Sequence, residues 1–354
     1  MEMNSVFDGL DSQPWAAYDA TEIPSILREV TSSDERASRA AVYELASHIY
    51  NSQTVFPSAP PAVPFIARLA ATGVQSVILL DLLGSMAATE SEDEDDGVPP
   101  TGVRDAVAAQ LRILLPLLAH QDLSVRELAV WAVAQSRATE MALPALLARC
   151  RVETAPRMRG DLLFGITLLE PALATELIPD ALEAQEPVPV RVSAVLAGLD
   201  AGLPWSGEMA TAIIDSLPVD KRIGDTPWMM QPFNEVVERL NLRGEVDEAI
   251  DLVARALRVH SQADTDAHKE AFAAAEALGD TSSIARVSLL PVLLPLLDNL
   301  EDSKHLIAIL DAWCRFHDYD AVTPRLTHFA AQPQGDLANL ARRALRRIED
   351  QRPV

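Results

Sequence analysis

The sequence predicts an all-α protein, a right-handed α-solenoid of stacked helical hairpins. Three observations predict it. An apolar residue, a proline and a second apolar residue two places on recur at Pro24, Pro64, Pro116, Pro144, Pro179, Pro295 and Pro324. Each of these stretches leads, after a short polar break, into an Ala-rich amphipathic stretch. Hydrophobic residues make up 49% of the chain but aromatics only 5%, Leu and Ala dominate, and the β-branched residues show no strand-like alternation. A hairpin that stacks on its neighbours needs no single large core, so a chain of 354 residues reads as one continuous superhelix rather than two globules.

The elements can be justified in chain order. Ile23, Val63, Leu115, Leu143, Ile178 and Leu294 precede their prolines, with Thr323 a weaker instance. Proline is tolerated in the first turn of a helix, where its missing N–H has no intrahelical acceptor, so each proline is expected near the start of a first helix. The second helices show their buried faces at i, i+3, i+4, i+7 and i+8. Val125, Leu128, Ala129, Ala132 and Val133 form one such face, and Leu337, Leu340, Ala341, Ala344, Leu345 and Ile348 another. Ala41, Leu45 and Ile49, and Val192, Val195, Leu196 and Leu199, are shorter versions. The wide interval from Pro64 to Pro116 holds an insertion, residues 91–102, with Glu92, Asp93, Glu94, Asp95 and Asp96 followed by Pro99 and Pro100. Like charges repel and the prolines forbid a helix, so this is an exposed acidic loop, either simply solvated or an acidic finger for a basic partner. It lacks the alternating ligands and turn glycine of a calcium loop.

The organisation that follows is helical repeats over 1–203, an irregular connector over 204–232, and further helical repeats over 233–354 in the same solenoid. Trp205, Pro218, Gly224, Pro227, Trp228 and Pro232 break the periodicity of the connector. Its Trp228-Met229-Met230 cluster either folds over the core or stands out as an anchor for a partner. Beyond it, Asn241-Leu242-Arg243-Gly244 opens into Val246, Ala249, Ile250, Val253, Ala256 and Leu257. That helix resembles the second half of a tetratricopeptide-like hairpin.

An acid and an arginine also recur. Asp122 stands four residues before Arg126, Glu153 four before Arg157, and Asp34 five before Arg39, each arginine opening a second helix. In this the chain resembles the HEAT-repeat family, whose repeats carry a proline in the first helix and an acid and a base around the second. The resemblance covers residues 20–200 and, less fully, 285–350. It implies intra-repeat ion pairs forming a ladder along the inside of the stack, interrupted where Pro187 replaces the acid before Arg191. The opening of the chain, with Trp15, Tyr18 and the stretch from His48 to Phe56, is similar to a group of HEAT-like proteins of uncharacterised function common in actinobacteria. There a His-Gln-Gly-Thr-like loop joins the first two repeats, whereas here His48 is separated from Gln53 and Thr54. Either Trp15 and Tyr18 cap the open end of the core and Gln53 and Thr54 bond loop backbone, or the loop contacts a ligand.

Charge bounds the partners. With 52 acidic and 29 basic residues the net charge is −23, which disfavours phosphate backbones and argues against a nucleic-acid binder such as the HEAT-like DNA glycosylases. The same field favours a cationic protein. Arg342, Arg343, Arg346 and Arg347 form the one basic cluster, near a helix C-terminus where the macrodipole welcomes them. They serve there as solvated caps, as a dock for an acidic partner, or in a weak homo-oligomer. No secretory leader and no run of twenty apolar residues is seen, so a cytoplasmic protein without a membrane partner is expected. Cys150 and Cys314 are too few and too far apart for a metal knuckle.

No catalytic constellation emerges. Glu301, His305, His317, Asp318 and His328 fit no zinc spacing, and there is no phosphate loop or nucleophile elbow. The expected function is therefore a non-catalytic interaction scaffold without cofactor or metal, of the immunity or inhibitor kind, that holds a basic protein on an acidic concave face. Arg39, Arg126, Arg157, Arg191, Gln53, Thr54 and Trp228 are its candidate partner-binding residues. The alternative is a small-molecule carrier or lyase-type HEAT-like enzyme with a pocket around Trp205, Trp228, Met229 and Met230.

Overall fold

The computed structural model describes residues 3–51, 54–89, 102–219, 223, 226–259, 265–296, 319–332 and 335–351. The described residues are overwhelmingly helical; a single short hairpin, β1 (Tyr50–Asn51) paired antiparallel with β2 (Thr54–Val55), is their sheet. Gln53, the acidic insertion apart from Gly102, Gly224, Glu301, His305, Cys314, His317 and Asp318 lie outside the described residues. No helix among the described residues is long and apolar enough to cross a membrane.

The chain divides into two compact units. The first comprises residues 1–180 together with Thr226–Trp228, the second residues 181–225 and 229–354. In the first unit, α1 (Met3–Val6) and two short 3-10 turns lead into α2 (Ile23–Glu29) and α3 (Glu35–Ile49). After the β-hairpin come α4 (Ala59–Ala71), α5 (Ser76–Thr89), α6 (Val103–Ala108) and α7 (Leu111–Leu114), which runs into a 3-10 turn (Leu115–Ala119). α8 (Leu123–Gln135), α9 (Thr139–Cys150), α10 (Pro156–Leu169) and α11 (Ala174–Ala181) follow.

Second helices meet in chain order: α3 touches α5, α5 packs extensively on α8, and α8 on α10. First helices do likewise, α2 on α4 and α4 on α6 and α7. This arrangement explains why α8 is buried nearly all round rather than on one stripe. Val125, Ala129, Ala132 and Val133 are buried as the periodicity predicts, and Val130, Trp131 and Ala134 are buried with them. Trp15 closes the N-terminal end of this core against Phe65, its indole N–H donating to the Leu10 carbonyl at 2.8 Å, while Tyr18 is exposed.

The prolines depart from their expected places. Pro24 and Pro116 stand in first turns, but Pro64, Pro144, Pro179 and Pro324 are each the sixth residue of a helix. There each removes one i to i−4 hydrogen bond and crowds the carbonyl four residues back. In α9 the helix begins earlier than the motif suggests because Glu140, Met141 and Ala142, all good helix formers, precede the proline.

In the second unit, α12 (Val188–Asp200) and α13 (Gly207–Ile214) are followed by α14 (Pro232–Leu242), α15 (Val246–Val259), α16 (Thr265–Thr281) and α17 (Ser283–Leu296). α14, α15 and α16 pack mutually, and α17 packs on α15 and α16. α15 buries Ala249, Leu252, Val253, Ala256 and Leu257, close to the predicted face. Arg239 ties α14 to α12 through Asp200 at 2.6 Å. α18 (Tyr319–Ala330) and α19 (Asp336–Gln351) form a hairpin, with Ala338, Ala341, Ala344 and Ile348 buried.

Candidate functional site

Three turns of the first unit, each joining a first helix to a second, share one trough. It is bounded by Ser32, Ser33, Glu35, Ser38 and Arg39 at the start of α3, Gly73 to Ile78 at the start of α5, and His120, Asp122 and Val125 at the start of α8. Its volume is about 780 Å³ and it is open to solvent along one side.

Local chemistry makes the walls rigid. The Asp34 and Asp122 carboxylates accept the Arg36 and Ser124 N–H groups at 2.9 Å each, the N-cap interaction that satisfies donors a helix start leaves free. Gly73 and Gln75 both adopt positive φ, at 92° and 47°, so the chain turns sharply into α5. Gln75 then reaches across to donate to the buried Ser38 hydroxyl at 3.1 Å, and Ser38 donates to the Val30 carbonyl at 2.6 Å. Arg126 fastens the third turn by donating to the His120 and Gln121 carbonyls at 2.8 and 3.1 Å.

Behind the third turn lies a set of ion pairs whose connectivity corrects the expected intra-repeat pairing. Arg126 pairs with Glu153 of the following hairpin, 3.4 Å away, and Arg157 pairs back to Glu127 of the preceding one at the same distance. Asp122 is occupied as a cap, Asp34 likewise, and Arg39 pairs with Glu35 at 3.2 Å on the surface. The reason lies in spacing. An acid just before a second helix is nearer the open N–H groups of that helix than the guanidinium one turn on.

Glu153 serves several groups at once. One carboxylate oxygen accepts the Thr154 and Ala155 N–H groups at 2.9 Å each, in the turn leading into α10, and the other meets Arg149 and Arg126. Burial pushes its carboxyl up, but the Ala155 N–H, Arg149 and the Thr154 N–H outweigh that and hold it below its ordinary range. Glu127 differs: burial dominates and raises it, opposed by Arg157 and Arg126. Asp161, 3% exposed, is raised well above the ordinary range by burial and then by the Glu127 charge. Thr226 donates to Asp161 at 3.5 Å and accepts the Trp228 N–H at 3.4 Å. The Trp228 ring stacks on Phe164, centroids 5.2 Å apart, and meets the Trp131 ring edge-on at 4.7 Å.

The candidate residues are thus distributed. Arg39 lines the trough, and Arg126 braces it from behind. Arg157 belongs to the inter-repeat pairs, and Trp228 is half-buried on the α8 and α10 aromatics. Thr54 is exposed in β2 and does not line the trough, and Gln53 lies outside the described residues. Arg191, on α12 of the second unit, is buried, and among the described residues its Nε has no hydrogen-bond partner. In the connector, Met229 is buried and Met230 is 89% exposed. Among the described residues no group of three or more His, Cys, Asp or Glu side chains could hold a metal ion.

Sequence reasoning missed Glu127, Asp161, Gln75 and Ser38. The signal for the first two was a single acid inside an otherwise apolar helical run, in LSVRELAVWAVAQ and in DLLFGITLL. For Gln75 and Ser38, one-dimensional periodicity carries none.

No protein-family model and no curated protein matches the chain. Among solved structures, two engineered proteins from the Northeast Structural Genomics Consortium align with 93% of it, at 15% and 13% identity. The alignments cover 89% and 97% of those chains with TM-scores of 0.38 and 0.28, too low to bear on fold or site.

Proposed function

We propose that this protein is a non-catalytic interaction scaffold, a HEAT-like right-handed solenoid that holds a basic protein partner, in the manner of an immunity or inhibitor protein. The observation that carries the reading is the open trough across three successive hairpin turns, on a chain of net charge −23. An open, rigid, polar-walled surface with an apolar floor is the anatomy of a protein-docking site more than of a small-molecule site, which encloses most of its ligand. The long-range field of so acidic a chain speeds encounter with a cationic partner and repels anionic competitors.

Support for the HEAT-like part is the recurrence of proline within first helices, capped second helices, and arginines that pair between successive hairpins. The rival reading, a small-molecule or lyase-type site at the connector, is weakened because the Trp228 ring is already engaged by Phe164 and Trp131.

The test is affinity purification from the native host at low and at moderate salt, with co-eluting proteins identified by mass spectrometry. A stoichiometric basic protein, retained at low salt and lost at moderate salt, is the expected result. Recovery of the protein alone at both, or with a bound small molecule, would overturn the reading.

A further inference from the structure

We infer that the trough seats one amphipathic helix of about four turns, with lysine or arginine on one face and aliphatic side chains on the other. This deepens, and rests on, the proposed reading of the chain as a scaffold for a basic partner.

The floor of the trough is apolar. Val74, Val77, Ile78 and Val125 line it, and Val77 is 38% exposed although it sits on a helix otherwise rich in buried leucines. Val74 and Ile78 are half-buried and Val125 is buried, so Val77 is the floor's exposed apolar side chain, and an apolar cover would remove it from water. The rim is anionic: its charged side chains are the two carboxylates of Glu35 and Asp122 against the single guanidinium of Arg39. Arg39 and Glu35 answer each other at 3.2 Å and Asp122 caps α8, so the rim carries an excess of one negative charge, with the Glu35 side chain 80% exposed. An aliphatic floor beneath an acidic rim matches a segment that carries both kinds of contact, and rejects an acidic one.

Length follows from the stacking. Packed helices lie about 8–10 Å apart, so the path from α3 across α5 to α8 measures about 16–20 Å. A helix of about 14 residues spans about 21 Å at 1.5 Å per residue. One such helix laid across the three turns would bring apolar anchors at i, i+3, i+4 and i+7 onto the valine floor. Its cationic residues would then face Glu35 at one end and Asp122 at the other. The walls need no rearrangement to receive it, since Gln75, Ser38 and Arg126 already fix the three turns.

The experiment uses the full chain and a synthetic, fluorescein-labelled 14-residue amphipathic peptide of leucine and lysine, with its leucine and glutamate counterpart, read by fluorescence polarisation. The lysine peptide is expected to bind and the glutamate peptide not. Glu35→Arg and Val77→Glu alter exposed side chains and are each expected to weaken binding at least tenfold. Glu140→Arg makes the same charge change at an exposed position of α9 away from the trough. It is expected to change affinity less than twofold. If Glu140→Arg weakens binding as much as Glu35→Arg, the peptide senses only net charge and the inference fails. It fails equally if both trough variants bind like wild type, or if the lysine peptide does not bind. Should Val77→Glu lose its native circular dichroism, Glu35→Arg decides. A basic host protein still captured by the trough variants would place the fault with the seat, whereas no host partner for the wild-type chain would place it with the scaffold reading.

Discussion

Replacing Gly84 by alanine tests whether the core of the first unit is organised around the Trp131 ring. Gly84 lies in the middle of α5, where a Cβ would fall 2.7 Å from the Trp131 Cγ and nearer still to Cδ1 and Nε1. These are atoms of a rigid ring held edge-on against Trp228, not the far end of a flexible chain, so the indole must move. Overpacking of this kind costs about 1–3 kcal/mol, and the upper end applies to direct overlap with a ring. Loss of the aromatic pair adds about 1 kcal/mol, and the better helix propensity of alanine returns about 1. The net is a destabilisation of about 2–3 kcal/mol, or a fall in Tm of about 4–12 °C for a unit of this size. Urea titration followed by tryptophan fluorescence and by far-UV circular dichroism measures it. The partner substitution Trp131→Leu in the same chain should recover part of the loss, because it empties the space the methyl needs. A Gly84→Ala protein as stable as wild type, or more so, would refute the packing described.

Other expected outcomes follow from the same unit. Gly165→Ala, whose nearest contacts would be Ala134, Leu146 and Val130 at 3.2–3.3 Å, should cost less than Gly84→Ala in the same titration. Glu153→Ala should cost about 3 kcal/mol, the lower end for breaking a buried pair, because Arg149 and the Thr154 and Ala155 N–H groups lose their acceptor while Arg126 keeps the His120 and Gln121 carbonyls. Asp122→Ala should cost only about 0.5–2 kcal/mol, the loss of a cap. Equal losses for the two would restore the intra-repeat pairing. Asp161 has a folded-state pKa above its unfolded one, so the protonated carboxyl is the form the fold favours. Its stabilising contribution is full below the unfolded pKa and is lost as pH rises through the folded value. Asp161→Asn should therefore flatten the decline in stability as pH rises above the ordinary carboxylate range, and leave the protein more stable than wild type once the wild-type carboxyl has ionised. Urea melts across that rise in pH check it, and an unchanged slope would contradict it.

The all-helical class was legible because helical periodicity is local. Most of the α15 face could be read from periodicity, and so could part of the α8 face, whose remaining burial comes from the helices packed on it. What the sequence misassigned depends on neighbours that no local pattern shows. Asp122 and Arg126 stand at the right separation to pair on a helix, yet the same aspartate is also at the N-cap, and the cap prevails. Arg126 then finds Glu153 because stacking brings the next turn beside it. The prolines illustrate the converse: the motif marked the first helices, but the helix starts were decided by the residues before it. Arg39 could be placed at the candidate site from its position alone. Gln75 could not, since its role depends on a positive φ and on a serine from the preceding hairpin.

The most direct test of the trough as the partner surface is a photo-reactive benzoylphenylalanine introduced at Val77, with a second chain carrying it at Glu140, both irradiated in the native host. The account predicts a discrete adduct with one basic protein from position 77, suppressed by Glu35→Arg and absent from position 140. Adducts of equal yield from both positions, or an adduct at 77 indifferent to Glu35→Arg, would contradict it.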